Sequence, residues 1–292
     1  MGETMDNLLS GLGKFGLDEG AANNLFEDEN VVKKQNADGT VTKEIAKPKE
    51  EDFLLLKAVR CPVCDGTFRT IQIKSGRAKR KEPDLDLRPR FEYIDTNKYD
   101  VASCPKCGFT AMHRYFGPFS SLQVKLIKEG VCSKFKTPPT KEITEVKTYT
   151  YDESIELFKL ALYTTIAKKG ANSEKAYECL KIAWLLRGKI EELAVDKEKN
   201  KDAIVAAQKE YVTFYTQAFD GFVKAMASEN YPMCGMDQST VDLLIAAMAF
   251  NLGKYDYSSR FVSSLLVSRT AGPNIKKRAL ELKEKIIEKV KK

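Results

Sequence analysis

The sequence predicts an α+β protein, mainly α, in which a small cysteine-stapled β module precedes an antiparallel helical-hairpin domain. Three observations carry that expectation. Two stretches, RCPVCDGTF from Arg60 and SCPKCGF from Ser103, each place two cysteines three positions apart around a proline. The residues between them are rich in β-branched side chains, glycine and proline and keep no helical period. From about Ser120 to the C-terminus, apolar residues instead recur at spacings of three and four.

The first 52 residues are polar and acidic, with 6 Lys/Arg against 12 Asp/Glu. Low hydrophobicity and the mixed-charge run KPKEED predict a flexible tail or linker over 1–52. Within it Leu8, Leu12 and Phe15 follow helical spacing, which predicts one short helix weakened by glycines. No basic stretch leads into an apolar one, so no secretory signal is expected. The run LLIAAMAF from Leu243 is too short to cross a bilayer. A cytoplasmic protein without membrane contact is the expectation.

Residues 53–118 form the predicted β module. FRTIQIK reads as a strand, SG as a tight turn, and the basic run that follows as the far side of a hairpin spanning 74–81. So small a module lacks an adequate core of its own and needs an internal staple.

Residues 119–292 form the predicted helical domain. SSLQVKLIKEGV opens it with Ser120 or Ser121 as cap, and the prolines of KFKTPPTKEIT end that first helix. Six further helical stretches follow, most with an Asp, Ser or Asn at the start. In the first of them Ile155, Phe158, Leu162 and Ile166 share a face. YDESIELFKLAL and YDYSSRFVSSLL align without gaps, pairing Tyr151 with Tyr255, Ser154 with Ser258, Phe158 with Val262 and Ala161 with Leu265. LLRGK and LGK place glycines where a first helix of a hairpin is expected to end. This pattern resembles the tetratricopeptide repeat, and it predicts helical hairpins of that kind.

Seven cysteines and no secretion signal argue against a disulfide framework. Cys132, Cys179 and Cys234 are scattered and read as small apolar core residues. Cys61, Cys64, Cys104 and Cys107 read as metal ligands, because a Cys-x-x-Cys turn points both sulfurs at one ion. Proline favours that turn, and Gly108 supplies the permissive backbone. Four soft anionic ligands suit one tetrahedral, structural Zn(2+), although iron takes the same set. A thioredoxin-like redox motif expects a βαβ setting that is missing here. Four thiolates would close the coordination shell and leave no position for a reacting water. The only histidine, His113, is surplus to that shell and reads as a surface or core-edge residue. No phosphate-cradling glycine loop and no HExxH motif is present, so no catalytic residues and no enzyme activity are expected.

The chain carries a formal charge of +7, short of a dedicated nucleic-acid binder. Lys74, Arg77, Lys79, Arg80 and Lys81 nevertheless cluster between the cysteine pairs, with Phe91, Tyr93 and Tyr99 after them. A nucleic-acid contact would use the cations on phosphate and the rings on bases. The preferred reading is a solvated hairpin tip whose aromatics fill the small core, with EPDLDL partly cancelling the basic field.

CPVCDGTFRTIQIKSGRAKR, DTNKYDVASCPKCGFTA, LFKLAL and AWLLRG, taken in that order, resemble the bacterial family catalogued as domain of unknown function twenty-two twenty-five. The resemblance runs from about Phe53 to the last helix. It implies a zinc-ribbon-like head on tetratricopeptide-like helices in a cytosolic bacterial protein, and it implies no reaction. Asp65 stands where a glycine is the commoner choice after a knuckle, so Gly66 is expected to take over the turn. The function expected from all this is a non-enzymatic adaptor with a protein partner, the alternative being nucleic-acid binding through 74–81.

Overall fold

The structure is a computed structural model that describes residues 31–35, 41–45, 47–136 and 142–291. The expected helix around Leu8, Leu12 and Phe15 lies outside the described residues. The chain divides into two compact units, residues 1–49 and residues 50–292.

In the first unit, β1 (Val31–Gln35) and β2 (Val41–Ile45) pair antiparallel, with Val31 opposite Ile45. The sequence predicts a tail here; the β-branched Val31, Val32, Val41, Thr42 and Ile45 favour extended, paired strands instead.

The second unit begins with β3 (Leu54–Arg60) and β4 (Thr67–Ile73), antiparallel and in register from Leu54–Ile73 to Arg60–Thr67. β5 (Arg80–Lys81) pairs with β6 (Arg90–Phe91), and β7 (Val101–Ser103) with β8 (Thr110–Met112). The expected 74–81 hairpin is therefore corrected. β4 turns back on β3 through the first cysteine pair, and residues 74–79 only lead on to β5, whose partner is β6.

Seven α-helices follow among the described residues. α1 (Ser121–Gly130) and α2 (Tyr151–Ala167) both start on capping boxes, Ser120 with Gln123 and Thr150 with Glu153. Then come α3 (Asn172–Leu193), α4 (Lys201–Met226), α5 (Gln238–Asn251), α6 (Tyr255–Val267) and α7 (Pro273–Val290). No described helix is long and apolar enough to cross a membrane.

Three of the four aligned pairs are buried in both helices, Ser154, Phe158 and Ala161 in α2 and Ser258, Val262 and Leu265 in α6, while Tyr151 and Tyr255 are half-buried. The two glycines differ. Gly253 has φ +73 and follows the end of α5, as expected. Gly188 instead lies inside α3, five residues before its end. A Cβ there would fall 2.4 Å from the Tyr151 ring, so its function is close packing and not termination.

One core joins strands and helices. Leu54, Ile71, Tyr99, Val101 and Met112 from the β region cluster with Ile155, Phe158, Ile182 and Leu186 from α2 and α3. The strands thus bury their apolar face on the helices and share their stabilisation.

Candidate metal centre

Both cysteine pairs are the turns of hairpins, and the two turns are built alike. Cys61 N–H donates to the Gly66 carbonyl, and Asp65 N–H to the Cys61 carbonyl. At the second pair Cys104 N–H donates to the Phe109 carbonyl and Gly108 N–H to the Cys104 carbonyl. The residue after each pair is left-handed, Asp65 at φ +59 and Gly108 at φ +75. Asp65 therefore takes the turn itself, and the expectation that Gly66 would do so is corrected. Aspartate tolerates this region better than most side chains, and its carboxylate accepts from the Arg60 guanidinium. Gly108 has a second constraint, because a Cβ would lie 2.3 Å from the Phe135 ring.

The hairpins bring Cys61, Cys64, Cys104 and Cys107 together, with all four sulfurs within 4.8 Å of one another. The Cys61–Cys107 and Cys64–Cys104 separations are 3.6 and 3.7 Å. A tetrahedron of sulfurs about 2.3 Å from a central ion has edges of about 3.8 Å. The four cysteines thus fit a metal ion. Cys61 and Cys104 are buried and Cys64 is exposed, so the site sits at an edge of the module.

Electrostatics point the same way. With no cation, crowded sulfurs share protons: the hydrogen bond with Cys104 leads in pushing the Cys61 thiol up, to about 12, and also pushes Cys107 up. Cys104 receives those hydrogen bonds, that of Cys107 foremost, and is held well below the usual thiol range. A divalent cation held there would offset that crowding.

The 39 residues between the pairs form a clasp on the helices. Asp86, fully buried, accepts from Trp184 Nε1 at 3.2 Å and from Tyr215 Oη at 2.9 Å, and it also pairs with the Arg187 guanidinium. Burial opposes its charge most, but the Arg187 guanidinium and the Tyr215 and Trp184 hydrogen bonds together outweigh it and hold the carboxyl below the usual range. Arg88, also buried, binds Asp95 and Glu191, while Arg90 binds Asp84 and Glu191. Arg278 of α7 reaches the Asp84 carbonyl. Nearer the second pair, Lys181 donates to Asn97 Oδ1 and pairs with Asp100, and Tyr151 Oη donates to Asp95. The acids of EPDLDL therefore reach the helices, Glu82 through Arg278 and Asp84 and Asp86 through Arg187.

Of the cations in 74–81, Arg77, Lys79, Arg80 and Lys81 are exposed, Lys79 pairing with Glu92. Tyr99 is buried and Phe91 packs on the core, leaving Tyr93 as the exposed ring, at 51 %. His113 is not a ligand. Its Nδ1 lies 3.2 Å from Gln72 Nε2 at the rim of a polar cleft of about 300 Å³, and burial holds its pKa down.

Sequence reasoning missed two features. The Asp86–Trp184 contact joins residues too far apart for any local pattern to connect. Cys132, read as a core cysteine, packs against the cluster that holds Cys61 and Cys104, as Cys107 also does.

Fold and site together define a helical protein whose β module carries four cysteines placed so that they could hold a metal ion. Residues 54–286 match the family described as "Uncharacterized protein conserved in bacteria (DUF2225)", and the chain belongs to that family. No curated protein matches the chain significantly. Nor does any solved structure.

Proposed function

We propose that this protein is a non-enzymatic adaptor in which one structural zinc ion locks a ribbon-like head onto tetratricopeptide-like helices that receive a protein partner. The observation that supports it most is the four-sulfur cluster, whose closed shell leaves no position for substrate or water. Thiolate-only ligation favours zinc among common divalent ions. The metal ties the two ends of the clasp segment together, so its work is to hold Asp86, Arg88 and Asp95 against the helices.

Partner binding is assigned to a cleft of about 370 Å³ between α2, α3 and α4, walled by Leu162, Ile166, Ala176, Phe214 and Gly221. Ile166 is 57 % exposed there, which is unusual for a large apolar side chain unless something covers it. Affinity purification from the native cell tests the reading, comparing the intact protein with an Ile166→Asp variant. A partner retained by the first and lost by the second supports it. No specific partner on either removes the adaptor role.

Nucleic-acid binding is the second reading, favoured by the exposed cations Arg77, Lys79, Arg80 and Lys81 beside Tyr93. It requires a salt-sensitive affinity that charge reversal at Arg77 and Arg80 abolishes.

A further inference from the structure

β3 is paired along one side only. Its sheet has two strands, and no described residue outside β4 bonds to the β3 backbone. Two hydrogen bonds fix which groups face the open side. Lys74 N–H donates to the Phe53 carbonyl at 2.8 Å, and Cys61 N–H to the Gly66 carbonyl at 2.9 Å. Bonded pairs alternate along an antiparallel ladder, so the odd-numbered residues from Phe53 to Cys61 turn their N–H and C=O groups to β4. Leu54, Leu56, Ala58 and Arg60 turn theirs away. Leu54 is buried, but Leu56 is half-buried and Ala58 and Arg60 are exposed, so residues 56–60 present unpaired donors and acceptors at the surface.

Charge selects what can pair there. Lys57 and Arg69 are exposed and have no acid partner among the described residues, while Arg60 adds a third cation, paired with Asp65. Arg69 lies opposite Ala58 in the ladder, and so short a side chain puts no bulk between the guanidinium and the open edge. Two copies of β3 set edge to edge would bring like charges together, which is unfavourable, whereas an acidic strand is attracted.

We propose that the open edge of β3 takes an extended acidic segment of a protein partner as an added strand. The segment exchanges backbone hydrogen bonds with Leu56, Ala58 and Arg60, and its carboxylates, at alternate positions, face Arg60 and Arg69. This surface is separate from the cleft between α2, α3 and α4 and does not depend on it.

The test titrates the full-length protein with a synthetic peptide of alternating glutamate and valine and follows backbone amide resonances by NMR. Shifts are expected to centre on Leu56, Ala58 and Arg60, to weaken as salt is added, and to be absent with the matching peptide of lysine and valine. Ala58→Pro removes one outward N–H and keeps every bond to β4, a substitution that edge strands tolerate. It is expected to weaken the glutamate peptide about tenfold or more. Arg69→Glu, which leaves the backbone alone, is expected to lose that peptide too, whereas Ile166→Asp binds it as the parent does and so tells this edge from the cleft. No shift with the glutamate peptide, equal shifts with both peptides, or binding that neither Ala58→Pro nor Arg69→Glu weakens overturns the proposal. A dimer of the parent that Ala58→Pro dissolves would give the edge to a second copy, and shifts caused by a single-stranded oligonucleotide alone would give its cations to nucleic acid; either result overturns it as well.

Discussion

Trp184 donates its indole N–H to the fully buried Asp86 carboxylate across 3.2 Å, joining α3 to the segment between the two cysteine pairs. Arg187, one helical turn on, neutralises the same carboxylate, so AWLLRG and EPDLDL are two halves of one contact.

Replacing Asp86 by Ala leaves Arg187 with Asp84 as its only carboxylate partner and strips Trp184 and Tyr215 of their buried acceptor, and is expected to cost about 3–5 kcal/mol. Trp184→Phe keeps the ring and loses only the donor, for about 1–3 kcal/mol. Urea unfolding of the two variants checks both, with Asp86→Ala the more damaging.

Glu178 is fully buried, and burial and the Glu174 charge push its carboxyl from 4.5 up to about 8. Its Oε1 accepts from Thr165, while Oε2 has no partner, so no second hydrogen bond offsets the burial of its charge. The folded chain then keeps a proton that the unfolded chain loses above about pH 4.5. Its contribution to stability is complete below that value and is gone once pH has risen through about 8. Glu178→Gln is expected to flatten this slope and to gain stability on the order of a few kcal/mol at pH 8 and above. Thermal melts of parent and variant across pH 5–9 read it directly. The difference between them separates Glu178 from His113, whose depressed value makes stability fall as pH drops below about 6.5.

The two knuckles answer differently to substitution. Gly108→Ala combines a left-handed backbone with a Cβ inside the Phe135 ring, and a loss of more than about 2 kcal/mol together with weaker metal retention is expected. Asp65→Gly relaxes its backbone at an exposed site and should leave metal content unchanged. Metal analysis after dialysis against a mild chelator distinguishes them.

Sequence alone suggests that chelation would unfold 53–118 and spare the helices. The shared core of Leu54, Ile71, Val101 and Met112 with Phe158 and Ile182 predicts otherwise. Metal removal should lower the melting temperature of the helical signal as well, and circular dichroism at 222 nm with and without chelator measures it.

What the sequence disclosed follows from the range of its signals. Cys61, Cys64, Cys104 and Cys107 were legible because a knuckle writes its ligands three residues apart with a proline between them. The helices were legible through their apolar period and through caps such as Ser120 and Thr150. Asp86, Arg88 and Trp184 were not, since a buried ion pair between distant segments leaves no local pattern and its charges read as solvated surface. Gly188 looked like a helix end because glycine serves both termination and close packing, and only the position of Tyr151 separates the two. Cys132 resembled Cys179 in sequence, and only the fold packs it against the cluster that holds Cys61 and Cys104.

X-ray absorption at the zinc edge of the reduced, purified protein tests most directly whether four sulfurs enclose a metal ion. Four sulfur scatterers at about 2.3 Å and nothing lighter in the shell are expected. A nitrogen or oxygen scatterer in that shell, or no zinc to measure, would contradict that enclosure.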